Sequence, residues 1–81
     1  MKQVIDRRFL HRTELLHGVV REVFQQDGLT YLSVFIPSLG VTLPFVKTAL
    51  PSGTSLNDAQ SAYPVGKKVS VFKKAGIWFV E

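Results

Sequence analysis

Between residues 18 and 79, apolar and polar positions alternate in five short runs, with one long gap between the third and the fourth. A period of two is the mark of a strand with one buried face. The first run spans residues 18–24, and the Asp27-Gly28 pair after it suits the positive φ angles of a tight hairpin turn. The second, residues 29–36, is the strongest. Its Leu32, Val34 and Ile36 form an apolar face, while Tyr31, Ser33 and Phe35 point the other way. Two aromatics on that other face predict that it is covered or used. Pro37 ends the run because it has no N–H for a ladder, and Ser38-Leu39-Gly40 turns the chain into the third run, residues 41–46. There Val41, Leu43 and Phe45 are the expected core face. Thr42 and Pro44 are expected to face outward, and Pro44 marks an edge or a strand end.

The gap covers residues 47–62. Pro51, Ser52 and Gly53 predict irregular backbone there, and Thr54 or Ser55 is positioned to cap a helical turn through Gln60. A gap of this length in a small domain is usually functional, flexible or lined by a partner. Tyr63-Pro64-Val65-Gly66 turns into the fourth run, residues 67–73, with Val69 and Val71 on one side and Lys68, Ser70 and Phe72 on the other. Lys74-Ala75-Gly76 is a second hairpin turn. The last run, Ile77-Trp78-Phe79-Val80, is apolar on both faces and is expected to be central or covered. The fold class implied is all-β: a small five-stranded OB-like barrel over residues 18–81 with an N-terminal arm or short helix over residues 1–17. In that arm Ile5, Phe9 and Leu16 have helical spacing, whereas Arg7, Arg8 and Arg12 crowd one another and weaken isolated helicity.

Eighty-one residues hold one domain with a modest core, and the 46% apolar content is not that of a disordered chain. There is no cysteine, so no disulfide supports so small a domain, and association with neighbours is the remaining common remedy. No apolar run reaches the roughly 20 residues that span a bilayer, and the start of the chain does not read as a signal peptide. A soluble protein made in the cytoplasm is expected, without membrane contact. The net charge of +4 comes from basic residues near both ends, Lys2, Arg7, Arg8 and Arg12, then Lys67, Lys68, Lys73 and Lys74. Such residues keep a small domain soluble, and they also attract nucleic acid or acidic protein patches.

The inventory offers little for catalysis. His11 and His17 fall in the arm or at its junction with the barrel, outside any motif. Asp6, Glu14, Glu22, Asp27, Asp58 and Glu81 show no paired spacing, and the glycines are too dispersed to cradle a phosphate. No catalytic residue, metal ligand, cofactor or small-molecule substrate is expected. Nucleic-acid binding is a more substantial reading. OB barrels hold single strands on aromatic platforms flanked by basic residues, which Tyr31, Phe35, Lys68 and Lys73 would supply. Against it, the third run contributes no aromatic to that face, and Tyr31 and Phe35 would equally pack under the arm or against another subunit.

The stretch Gly18-Val19-Val20-Arg21-Glu22-Val23, followed by Leu32-Ser33-Val34-Phe35-Ile36-Pro37-Ser38-Leu39-Gly40, resembles the OB domain of phage baseplate and tail-spike proteins. Those domains open with a Gly-x-Val-x-x-Val strand and continue to a strand ending near Pro-x-Leu-Gly. Their next short strand is similar to Val41-Thr42-Leu43-Pro44-Phe45-Val46. Their later Pro-x-x-Gly-x-x-Val-x-Val is approximated from Pro64 to Val71. The likeness covers about three-quarters of the chain. It implies a structural virion protein, made in the host cytoplasm, that packs symmetrically in a tail, neck or baseplate. Spike proteins continue into a β-helix or needle, whereas this sequence stops at Glu81 and carries an arm, so a connector, adaptor or tail-tip ring is the expectation. Its contacts, with copies of itself and other virion proteins, would run through Ile5, Arg8, Phe9 and Arg12 of the arm and through Leu50 and Leu56 of the long gap. The alternative remains a cytoplasmic module binding single-stranded nucleic acid.

Overall fold

A computed structural model describes residues 14–81. Strands β1 (Leu16–Gln26), β2 (Leu29–Ile36), β3 (Val41–Lys47), β4 (Lys68–Lys74) and β5 (Ile77–Val80) close into a barrel in the order β1-β2-β3-β5-β4. Neighbouring strands are antiparallel except β3 and β5, which run parallel. Helix α1 (Leu56–Ala62) lies between β3 and β4. This is the all-β, OB-like barrel that the spacing of the runs predicts. β1 begins earlier than expected. Leu16 and His17, read from sequence as the end of the arm, are strand residues opposite Val71 and Ser70 of β4. The arm positions Ile5, Arg8, Phe9 and Arg12 lie outside the described residues.

Curvature enters at one level of the sheet. Val20 and Glu22 of β1 stand opposite Val34 and Ser33 of β2, so Arg21 is an extra residue. Leu43 and Val46 of β3 stand opposite Val34 and Leu32, so β3 also carries one residue too many there. Both bulges face Ser33, one from each side of β2. A bulge bends its strand and raises the local twist, and a pair of them around a small residue curls a sheet towards closure. The Ser33 hydroxyl donates to the Pro44 carbonyl at 3.4 Å across the second bulge.

Each bulge also shifts the phase of its strand. In β1 Val20 and Val23 are both buried although three apart, with Arg21 and Glu22 both exposed between them. In β3 the alternation breaks after Leu43, so Val46 is fully buried and Phe45 is 53% exposed. The expected core face of β3 is therefore corrected: Leu43 is half-buried, but Val41 and Phe45 are exposed. β2 has no extra residue and keeps the predicted phase, with Leu32, Val34 and Ile36 fully buried. The core comprises Val20, Val23, Leu32, Val34, Ile36, Val46, Val71 and Ala59 of α1, with Leu50, Trp78 and Val80 packed around it.

α1 is placed by its cap and by the segment before it. The Ser55 hydroxyl accepts from the Asp58 N–H at 3.1 Å, and Asp58 adds negative charge to the first turn. The long gap is not a free loop. Gly53 N–H donates to the Gly28 carbonyl at 3.0 Å, Thr48 donates its hydroxyl to the Thr30 carbonyl at 3.1 Å, and Gln25 Nε2 donates to both Thr30 Oγ1 and the Thr54 carbonyl. These bonds dock the segment on the β1–β2 hairpin and satisfy Thr30, the buried polar side chain of the core.

Two backbone positions are tightly constrained. Gly18 is buried where β1 crosses β2. A Cβ there would collide with the Val34 side chain and come within 2.8 Å of Ile36 Cδ1 and the Phe35 carbonyl. Ala75 opens the two-residue β4–β5 turn at φ 52°, a left-handed conformation that disfavours a Cβ. Gly18→Ala is expected to destabilise the fold by about 1–3 kcal/mol through overpacking. Ala75→Asn, which suits the first position of such a turn, is expected to stabilise it by roughly 0.5–1 kcal/mol. Thermal melts of both variants against the parent check the two signs.

Candidate functional site

The bulge in β3 assembles an aromatic face that the alternating pattern did not foretell. With Phe45 turned outward, its ring packs edge-to-face against Phe24 of β1 at 5.2 Å and Tyr31 of β2 at 5.7 Å. Phe24 and Tyr31 are direct cross-strand partners and stack at 5.8 Å. Cross-strand aromatic pairs of this kind stabilise the sheet by up to about 1 kcal/mol each. The same rung continues around the barrel. Lys47 pairs with Tyr31 on one side and with Phe79 of β5 on the other, and Phe79 pairs and stacks with Phe72 of β4 at 5.6 Å. The Lys47 ammonium stands 5.9 Å from the centre of the Phe79 ring. An aromatic belt thus crosses all five strands, interrupted by one lysine.

The four residues expected to contact nucleic acid are not brought together. Tyr31 belongs to the belt. Phe35 faces outward four residues further along β2, about 13 Å away along the strand, with the Arg21 guanidinium 6.0 Å from its ring centre. Lys68 lies beyond Val19 on that second rung, which runs Phe35, Val19, Lys68 across β2, β1 and β4. Lys73 is at the opposite end of β4. It shares the phase of Val71, pairs with Trp78 and places its ammonium 5.7 Å from that ring. Of the gap residues, Leu50 is half-buried against the core and Leu56 is 43% exposed at the start of α1. Of the belt aromatics, sequence reasoning singled out Tyr31 and missed Phe24, Phe45, Phe72 and Phe79. Pro44, flanked by an apolar residue on each side, was the one local signal of a phase break.

Elsewhere the surface offers less. His17 Nδ1 lies 3.2 Å from the Ser70 hydroxyl, a cross-strand hydrogen bond between residues that the β1–β4 register places opposite each other. They line an open cleft with Gly18, Pro37, Lys68 and Val69. Among the described residues no group of three His, Cys, Asp or Glu side chains converges as a metal site. No helix among them is long and apolar enough to cross a membrane. The chain matches no family model, and neither curated proteins nor solved structures provide a match.

The phase of β3 has a measurable consequence. Phe45→Ser is expected to lower the unfolding free energy by only about 1 kcal/mol, the worth of its ring contacts. Val46→Ala is expected to cost about 2–3 kcal/mol by leaving a cavity in the core. Urea denaturation of the two variants reads the order, and the reverse order would mean that Phe45 is the core residue.

Proposed function

We propose that this chain is a structural virion component, an OB-like barrel that assembles in a phage tail, neck or baseplate through protein–protein contacts on its aromatic belt. The observation that carries the reading is the Phe24–Tyr31–Phe45 cluster on the outer face of β1, β2 and β3. Phe45 is exposed, with Phe24 and Tyr31 half-buried beside it, and aromatic side chains of this kind are enriched at the centres of protein interfaces. Eight buried residues form the core among the described residues, a small core, and a partner covering the belt would add to the stability of the barrel. The virion setting is what the baseplate resemblance implies.

The ring geometry favours a protein partner over a single-stranded nucleic acid. Bases stack on separate, open ring faces. Here the three rings turn faces and edges onto one another and form one compact apolar patch. The flanking cation, Lys47, sits over Phe79, and Lys68 and Lys73 lie at opposite ends of β4.

Two measurements test this. Purified particles from the producing culture, probed with an antibody to the protein, are expected to carry the parent chain and to lack a Tyr31→Ala/Phe45→Ala variant that still folds. Titration of a labelled oligonucleotide at low salt is expected to show no saturable binding. Tight binding that weakens steeply with salt and disappears in Tyr31→Ala would make single-stranded nucleic acid the ligand instead.

A further inference from the structure

Lys47 stands at the centre of the aromatic belt. On the rung that crosses the five strands, Phe24 and Tyr31 lie on one side of it and Phe79 and Phe72 on the other. It is half-buried, and the exposed Phe45 lies two residues away along β3. β2, β3, β4 and β5 contain no acidic residue, so neither its own strand nor either neighbour brings a carboxylate to it. Glu22 of β1 pairs with Ser33, two strands over and two residues along from Lys47. Glu81, two residues beyond Phe79, lines a separate cleft with Lys67 and Lys68. The Phe79 ring, centred 5.9 Å away, attracts the ammonium without neutralising it.

Water solvates this cation while the belt is bare, but a protein that covers the belt displaces that water. Burying a charge is costly unless it is paired, and desolvation is most complete at the centre of a covered patch. We infer that the partner on the belt is a protein segment carrying an Asp or Glu among apolar side chains, with its carboxylate set on the Lys47 ammonium. This rests on the belt's role as a docking face and specifies the chemistry of what docks there. Charge and shape select the occupant together. The ring pairs on both sides fit apolar groups, and the single cation between them fits one anion. A phosphodiester strand carries an anion at every nucleotide and calls for a row of cations, whereas the rung holds one. A second copy of the chain fits less well, because Glu22, the one acidic strand residue, stands beside the exposed Arg21, a like charge to Lys47.

The probe is a library of random peptides displayed on filamentous phage and selected on the immobilised full chain. Enriched peptides are expected to carry Asp or Glu flanked by aromatic or aliphatic residues. Synthetic copies are expected to retain binding to Lys47→Arg and to bind Lys47→Gln at least about tenfold more weakly. Replacing the peptide's acid by its amide is expected to weaken binding to the parent equally and binding to Lys47→Gln no further, which isolates the pair. Circular dichroism establishes that each variant is folded. Peptides that need Tyr31 and Phe45 but carry no acid, or that ignore Lys47→Gln, would overturn this inference and leave the belt a docking face. Peptides indifferent to Tyr31→Ala/Phe45→Ala, or no enrichment at all, would overturn both. Saturable binding of a labelled oligonucleotide, or of soluble parent chain, that is lost in Lys47→Gln would assign the cation to a phosphate or to a second copy instead.

Discussion

The two bulges that face Ser33 are the constraint on which the rest of this barrel depends. β2 runs straight between β1 and β3, and each neighbour inserts one residue at the same level. The sheet curls there, and the phase of both flanking strands inverts. On β1 the inversion lets Val20 and Val23 both reach the core across an exposed Arg21-Glu22 pair. On β3 it buries Val46 and turns Phe45 out to meet Phe24 and Tyr31. Core and outer face therefore come from one local irregularity, and a regular sheet of the same sequence would have neither in its present form.

This explains what could be read from the sequence and what could not. β2 was legible in full because an unbulged strand keeps its period of two from Leu29 to Ile36. The Asp27-Gly28 and Ala75-Gly76 turns and the Ser55 cap were legible because each rests on local chemistry. The long gap was legible as irregular backbone, but its attachment was not, since bonds such as Gly53 to Gly28 join residues distant in sequence. The phase of β3 was misread for the same reason. Strict alternation assigns Phe45 to the core, and only the register against Leu32 and Val34 shows the added residue. The Gly-x-Val-x-x-Val spacing in β1 now has a physical cause, since valines three apart share a face only across a bulge.

The proposed nucleic-acid residues separate on the same logic. Tyr31 and Phe35 share a face of β2, yet cross-strand neighbours decide what each joins. Tyr31 enters a belt of rings, and Phe35 lies on another rung with Val19 and Lys68. Lys73 follows the phase of Val71 and covers Trp78 at the β4–β5 end. The aromatic cluster and the lysines at 68 and 73 therefore occupy separate parts of the barrel.

The outward placement of Phe45 is the central claim, because the belt and its proposed use both require it. Nuclear Overhauser contacts in the full chain test it most directly. Cross-peaks from the Phe45 ring protons to the rings of Phe24 and Tyr31, with Val46 methyl cross-peaks to Leu32, are the predicted result. Phe45 ring cross-peaks to the methyls of Leu32 and Val34, with Val46 exposed to a soluble paramagnetic agent, would contradict it.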